Sequence, residues 1–154
     1  GNVGLAGCTD IQYRTHYSIW ALLGSPLMIG CDIREMNDAT KKILTNEDLI
    51  AVDQDPLCRQ PVKLSGIWAG EDMVLYSRDL SNGDIAVGLF NLSGEKGVAR
   101  FNLDELALPF STGKTLEMKD LWTKETFRVT NSSFSKELEA YDCAVYRAKV
   151  VDQN

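Results

Sequence analysis

The sequence predicts an α/β segment followed by an all-β one: an incomplete α/β unit, then an antiparallel β-sandwich. Three observations carry this reading. Before Pro56 the apolar residues recur at helical spacing around one short run, residues 26–30, that does not alternate at all. Beyond Pro56 come short alternating segments separated by Gly, Asn, Asp and Ser. The 154 residues are 44% hydrophobic and 25% charged, enough apolar material for a core in one domain, or in the end of one domain followed by a smaller one.

Thr9-Asp10 reads as a helix start, Thr9 as N-cap and Asp10 at the positive end of the dipole. Ile11, Tyr13, Tyr17, Trp20, Ala21 and Leu23 give a broad apolar face that runs to Gly24, the expected stop. Pro26-Leu27-Met28-Ile29-Gly30 then reads as a strand buried on both faces, as parallel strands are. Asn37 or Asp38 caps a second helical region through Leu44. Thr45 with Asp48 resembles a capping box ahead of Leu49-Ile50-Ala51-Val52. One strand cannot make a sheet, so this α/β unit needs strands supplied from elsewhere.

Past Pro56 strands are expected over 62–64, 66–69, 73–78, 85–91, 98–102, 115–120, 126–129, 134–138 and 144–148. Ser81-Asn82-Gly83-Asp84 and Ser93-Gly94-Glu95 mark turns between them. Residues 85–91 are apolar on both alternations and predict a central strand.

The net charge is −6 and no basic run exists, which excludes the electrostatic footprint of a nucleic-acid binder. The longest uncharged stretch, 15–31, is broken by Gly24-Ser25-Pro26 and is too short to span a membrane. The opening GNVGLAGCTD lacks the basic start and apolar core of a secretory leader. Cys8, Cys31, Cys58 and Cys143 are widely spaced and His16 is the single histidine, so metal-site spacing is missing; two disulfides are arithmetically open, four reduced cysteines the better expectation.

Chemistry is harder to place. Paired carboxylates are a common acid–base device, and Asp32, Asp53, Asp55, Asp120 and Asp142 are available without a motif that marks any pair as catalytic. Asp32 follows the expected buried strand, where barrel active sites form, but a hydrogen bond to the following loop accounts for it better. His16 lies within a helix with no nucleophile motif to serve, which favours packing. Trp68, Trp122, Tyr76 and Tyr141 could stack on sugar rings; packing in a small sandwich is the simpler expectation. Asn91-Leu92-Ser93 and Asn131-Ser132-Ser133 match glycosylation sequons, a pattern that gains meaning only with secretion.

Three runs point to a family. Tyr13-Arg14-Thr15-His16-Tyr17-Ser18-Ile19-Trp20-Ala21-Leu22, Ser25-Pro26-Leu27-Met28-Ile29-Gly30-Cys31-Asp32-Ile33-Arg34, and the stretch from Ile43 to the ending Asp53-Gln54-Asp55-Pro56-Leu57 resemble, in order, family 27 glycoside hydrolases of the α-galactosidase (melibiase) type. Val87-Gly88-Leu89-Phe90-Asn91, Asp120-Leu121-Trp122 and Asp142-Cys143-Ala144-Val145-Tyr146 resemble landmarks of that family's C-terminal antiparallel domain.

The resemblance implies the last βα portion of a (β/α)8 barrel over residues 1–55 and an antiparallel β-sandwich domain over 56–154. It makes residues 9–23 the helix after barrel strand seven, 27–29 strand eight and 38–52 the last helical layer. In such enzymes the nucleophile and acid/base aspartates stand on strands four and six, and a galactose-binding segment ends in Gly-Asn, which Gly1-Asn2 resembles. No catalytic, substrate-binding or metal residue is therefore carried onto this chain. The implied role is the C-terminal part of a retaining enzyme that cleaves terminal α-galactosides, with no cofactor, nucleic acid or membrane partner. The chain alone is expected to be inactive and to self-associate through the incomplete barrel edge. A non-catalytic carbohydrate-binding or structural sandwich is the alternative. Family members often carry Gly after Asp-Pro-Leu, whereas here Cys58 follows, a loss of backbone freedom.

Overall fold

Thr9 begins helix α1 (Asp10–Leu23) through a complete capping box: its hydroxyl accepts from Gln12 N while the Gln12 side chain accepts from Thr9 N. Gly24 ends it at φ +65°, the left-handed conformation a glycine takes without strain. The structure, a computed structural model, describes residues 7–66 and 71–153. Asn37 caps α2 (Asp38–Leu44), and Asn46 caps α3 (Glu47–Asp53) by accepting from Leu49 N. The cap of α3 thus sits one residue beyond the expected Thr45. Asn46 reaches the backbone as well as Thr45 could, and it also donates to Leu121 O across the molecule.

Among the described residues eight strands follow: β1 (Val62–Lys63), β2 (Met73–Asp79), β3 (Ile85–Asn91), β4 (Gly97–Asn102), β5 (Lys114–Asp120), β6 (Thr126–Arg128), β7 (Ser133–Leu138) and β8 (Cys143–Asp152). The expected strand at 66–69 lies largely outside the described residues. All recorded pairings are antiparallel, in a six-stranded sheet ordered β1-β2-β3-β8-β5-β6 and a two-stranded sheet β4-β7.

The larger sheet is a middle layer, and strand alternation shows it. Ile85, Val87 and Leu89 of β3 join Leu116, Met118, Ala144 and Tyr146 in a core shared with Phe101 and Leu138 of the small sheet. Ala86 and Phe90 point the other way, with Cys143 and Val145 of β8, into a second core closed by Ala21, Leu22, Leu49 and Val52 of the helices. Every residue of β3 is buried, as a central strand with two apolar alternations requires. Each fully buried large side chain in these cores contributes about 1.5–3 kcal/mol by leaving water.

Gly88 marks where α1 lands on the sheet. A Cβ there would lie 2.5 Å from Leu22 Cδ2 and 2.6 Å from the Phe90 ring, so the helix approaches through the missing side chain.

The run at 26–30 is not a strand. It has no ladder partner among the described residues; Met28 is 89% and Ile29 54% exposed, and Met28 N donates to Pro26 O within the run. The physical reason is simple: a parallel strand needs neighbours on both edges, and among the described residues no strand lies beside it. The expected burial on both faces is therefore corrected for this chain.

Candidate functional site

Two surfaces of the helical layer matter, one facing the sheet and one facing away. The inward surface is joined to the sandwich by a polar seam. Arg14 forms an ion pair with Asp142, and its guanidinium lies 5.7 Å from the centre of the Trp122 ring. Trp122 Nε1 donates to Ser18 Oγ at 3.0 Å, Ser18 donates to Arg14 O, and Thr15 donates to Tyr141 O. Cys143 Sγ donates to the same Ser18 hydroxyl; burial pushes its thiol up, so it serves as packing rather than as a nucleophile.

Arg78 holds the other end of the seam. It stands on β2 in phase with Val74 and Tyr76, facing the helices, and is 3% exposed. Its Nη1 donates to Ala21 O and Leu22 O, and its Nη2 to Asp53 O. One buried cation thus meets the last carbonyls of both α1 and α3, the negative ends of two helix dipoles. Gly24 leaves room for it, since a Cβ there would sit 3.2 Å from Nη1.

The candidate carboxylates resolve into structural roles. Asp55 accepts from Ser81 N, Ser81 Oγ and Leu57 N, tying the end of α3 to the β2–β3 turn. Burial raises its pKa, but these hydrogen bonds outweigh burial and leave it below the ordinary carboxylate value. Two residues earlier Asp53 goes the other way. Burial raises it against the opposing pull of Arg78, and its Oδ1 is buried without a hydrogen-bond partner. Asp120 accepts from Trp122 N and Thr123 N in its turn. Asp142 holds Arg14 and accepts from Cys143 N. Asp32 is exposed and accepts from Arg34 N, Nε and Nη2, so it orders its own loop. Asp48, read as a cap partner, instead binds Lys119 and Lys124 of the sandwich.

The outward surface is a groove of about 620 Å³, lined by Tyr13, Tyr17 and Trp20 of α1, Leu27 of the unpaired run, and Ile43 of α2. His16 stands at this groove, exposed, its ring edge-on to Trp20 with centroids 5.3 Å apart. Trp20 is 44% exposed. Sequence reading found the helix and the apolar run but not that they share a groove, nor that Arg78 clips two helices. An arginine in phase with Val74 and Tyr76 was the available signal.

The aromatic candidates divide. Trp122 is held edge and face by Ser18 and Arg14, so it is no free stacking platform. Tyr76 packs on the helix-side core, Tyr141 is 42% exposed, and Trp68 lies outside the described residues. The four cysteines are free.

The described residues thus form a helical layer that carries an unpaired apolar run and rests on an antiparallel β-sandwich. Residues 1–55 match the family model described as alpha galactosidase A, and residues 61–148 match the alpha galactosidase C-terminal beta sandwich domain. The chain belongs to the α-galactosidase (melibiase) family of glycoside hydrolases. It is 35% identical to the α-galactosidase of Cyamopsis tetragonoloba over 94% of its own length and 34% of that protein's. It is 36% identical to α-galactosidase 3 of Arabidopsis thaliana, again over 94% of this chain and 33% of the relative. The crystal structure of α-galactosidase I from Mortierella vinacea superposes with a TM-score of 0.82 at 29% identity, covering 95% of this chain and 37% of that one. The chain thus spans about a third of the length of the relatives it matches.

Proposed function

We propose that this chain is the C-terminal part of a retaining α-galactosidase, contributing barrel strand eight, the last barrel helices and the sandwich. Its catalytic aspartates would stand on a segment upstream of Gly1. Residues 1–55 would belong to the barrel and 56–154 to the sandwich domain. The observation that carries this reading is the solvent-exposed apolar run at 26–30 beside the groove of α1 and α2. Such a run has the composition of a doubly buried parallel strand and lacks only its neighbours. An upstream segment that brought strands one and seven would pair its edges and cover Met28 and Ile29.

The test has two arms. The pure chain, incubated with an α-galactoside, should release no galactose, and turnover by it would overturn the reading. Joined to an upstream polypeptide bearing the two aspartate motifs, the same chain should support hydrolysis. Left uncovered, the groove and the apolar run should also bring copies of the chain together. Sedimentation at rising concentration should then show mass increasing, and a monomer at every concentration would count against that part.

A further inference from the structure

The two sequons differ sharply in the fold, and the difference assigns a modification site. In Asn91-Leu92-Ser93 the asparagine is 1% exposed at the end of β3. Its Nδ2 donates to Glu95 O at 2.7 Å, Glu139 O at 3.0 Å and Leu138 O at 3.4 Å, while its Oδ1 accepts from Ser93 N and Ser93 Oγ. The nitrogen that would carry a sugar is thus spent bridging the β3–β4 turn to the end of β7. Its +2 hydroxyl is held as well, its single proton shared between Asn91 Oδ1 at 2.8 Å and Glu95 O at 2.9 Å. A glycan on this nitrogen would break the bridge and place a bulky polar group against the core.

Asn131-Ser132-Ser133 is the opposite case. Asn131 and Ser132 are exposed, in the turn between β6 and β7. The backbone around them is fixed from both sides: Val129 N donates to Leu116 O, and Leu103 N donates to Ser132 O. The acceptor therefore stands on a rigid surface turn with its side chain outside the core, and Ser133 begins β7 opposite Asn102.

We propose that, on the folded secreted chain, Asn131 carries the N-glycan and that Asn91, despite the same tripeptide pattern, does not, since a chain glycosylated there could not complete the fold. In the transfer, Asn131 Nδ2 bonds to the anomeric carbon of a lipid-diphosphate-linked oligosaccharide. The bond from that carbon to the diphosphate oxygen breaks, the lipid diphosphate leaves, and one amide proton passes to solvent. The glycan then projects from the β6–β7 turn, away from both cores.

The full chain secreted behind a cleavable leader from a eukaryotic host tests this directly. Trypsin separates the two sites, because Arg128 and Lys136 bound the peptide with Asn131, whereas Arg78 and Lys96 bound the one with Asn91. Treatment with the amidase that releases N-glycans should convert Asn131 to Asp and leave Asn91 unchanged. Asn131→Gln and Ser133→Ala should each abolish the glycan-dependent mobility shift, and Ser133→Thr should keep it. An unmodified secreted chain, a shift that survives Asn131→Gln, or a converted Asn91 would each overturn the proposal.

Discussion

Strand β3 and residues 26–30 are both short, apolar on both alternations and bounded by turn residues, yet one is wholly buried and the other stands in solvent. β3 has β2 on one edge and β8 on the other, and each of its faces meets a core. Among the described residues, 26–30 have neither an edge partner nor cover on Met28 and Ile29. The difference teaches that apolar character shows what a segment is built to become, while neighbours decide whether it becomes that. A strand satisfies its amides only through another strand, whereas α1 satisfies most of its own and so forms regardless.

The comparison can be broken most severely by removing the helical layer. Deleting residues 1–57 strips the cover from Phe90, Val145 and Leu121, all at most 1% exposed. The remaining sandwich should aggregate or lose its cooperative melt, as read by size exclusion and calorimetry; a well-behaved monomeric remnant would mean the helices are dispensable. Next comes Phe90→Ala, which should cost about 3–5 kcal/mol in a denaturant titration. The matching change Met28→Ala should stay within about 0.5 kcal/mol in this chain alone. Arg78→Met should cost roughly 1–3 kcal/mol by leaving helix-end carbonyls unpaired in a buried place. A neutral result would show that the guanidinium is tolerated rather than used.

Cys58 offers a gain instead. It lies at φ +50°, in the region where a side chain costs roughly 1–2 kcal/mol. Cys58→Gly should therefore raise the unfolding free energy from a denaturant titration by an amount near the low end of that range. The smallest expected effect concerns pH. Asp55 is held below its ordinary value, so its contribution is complete above the unfolded carboxylate pKa of about 3.9 and is lost as pH falls through the folded value. Asp55→Asn should accordingly destabilise at neutral pH, and the gap from the unmodified chain should close in acid. A gap that persists in acid would put the carboxylate charge out of the account.

Much of this fold was legible because its signals are local. The caps Thr9 and Asn37, the stop at Gly24 and the strands from β2 onward follow from spacing and turn chemistry within a few residues. Asn46 displaced Thr45 as a cap because it had a distant partner, Leu121 O, that no local pattern records. The seam was illegible for the same reason: Arg14 and Asp142 are 128 positions apart. The family came from ordered runs of residues, not from periodicity. Cys58, where the resemblance implied a glycine, does stand in a left-handed turn.

That long seam has a consequence for the order of events during synthesis. Helix α1 emerges before the sheet it packs on, and the groups that receive its inward face, Trp122, Asp142, Cys143 and Val145, are made more than a hundred positions later. The middle sheet itself closes only when β8 slots between β3 and β5. Until then Ala21 and Leu22 have no landing surface, and loop closure over most of the chain precedes any reward from contact. A ribosome stalled before Cys143 should therefore hold a protease-sensitive sandwich, and emergence of β8 should be the step that makes it resistant.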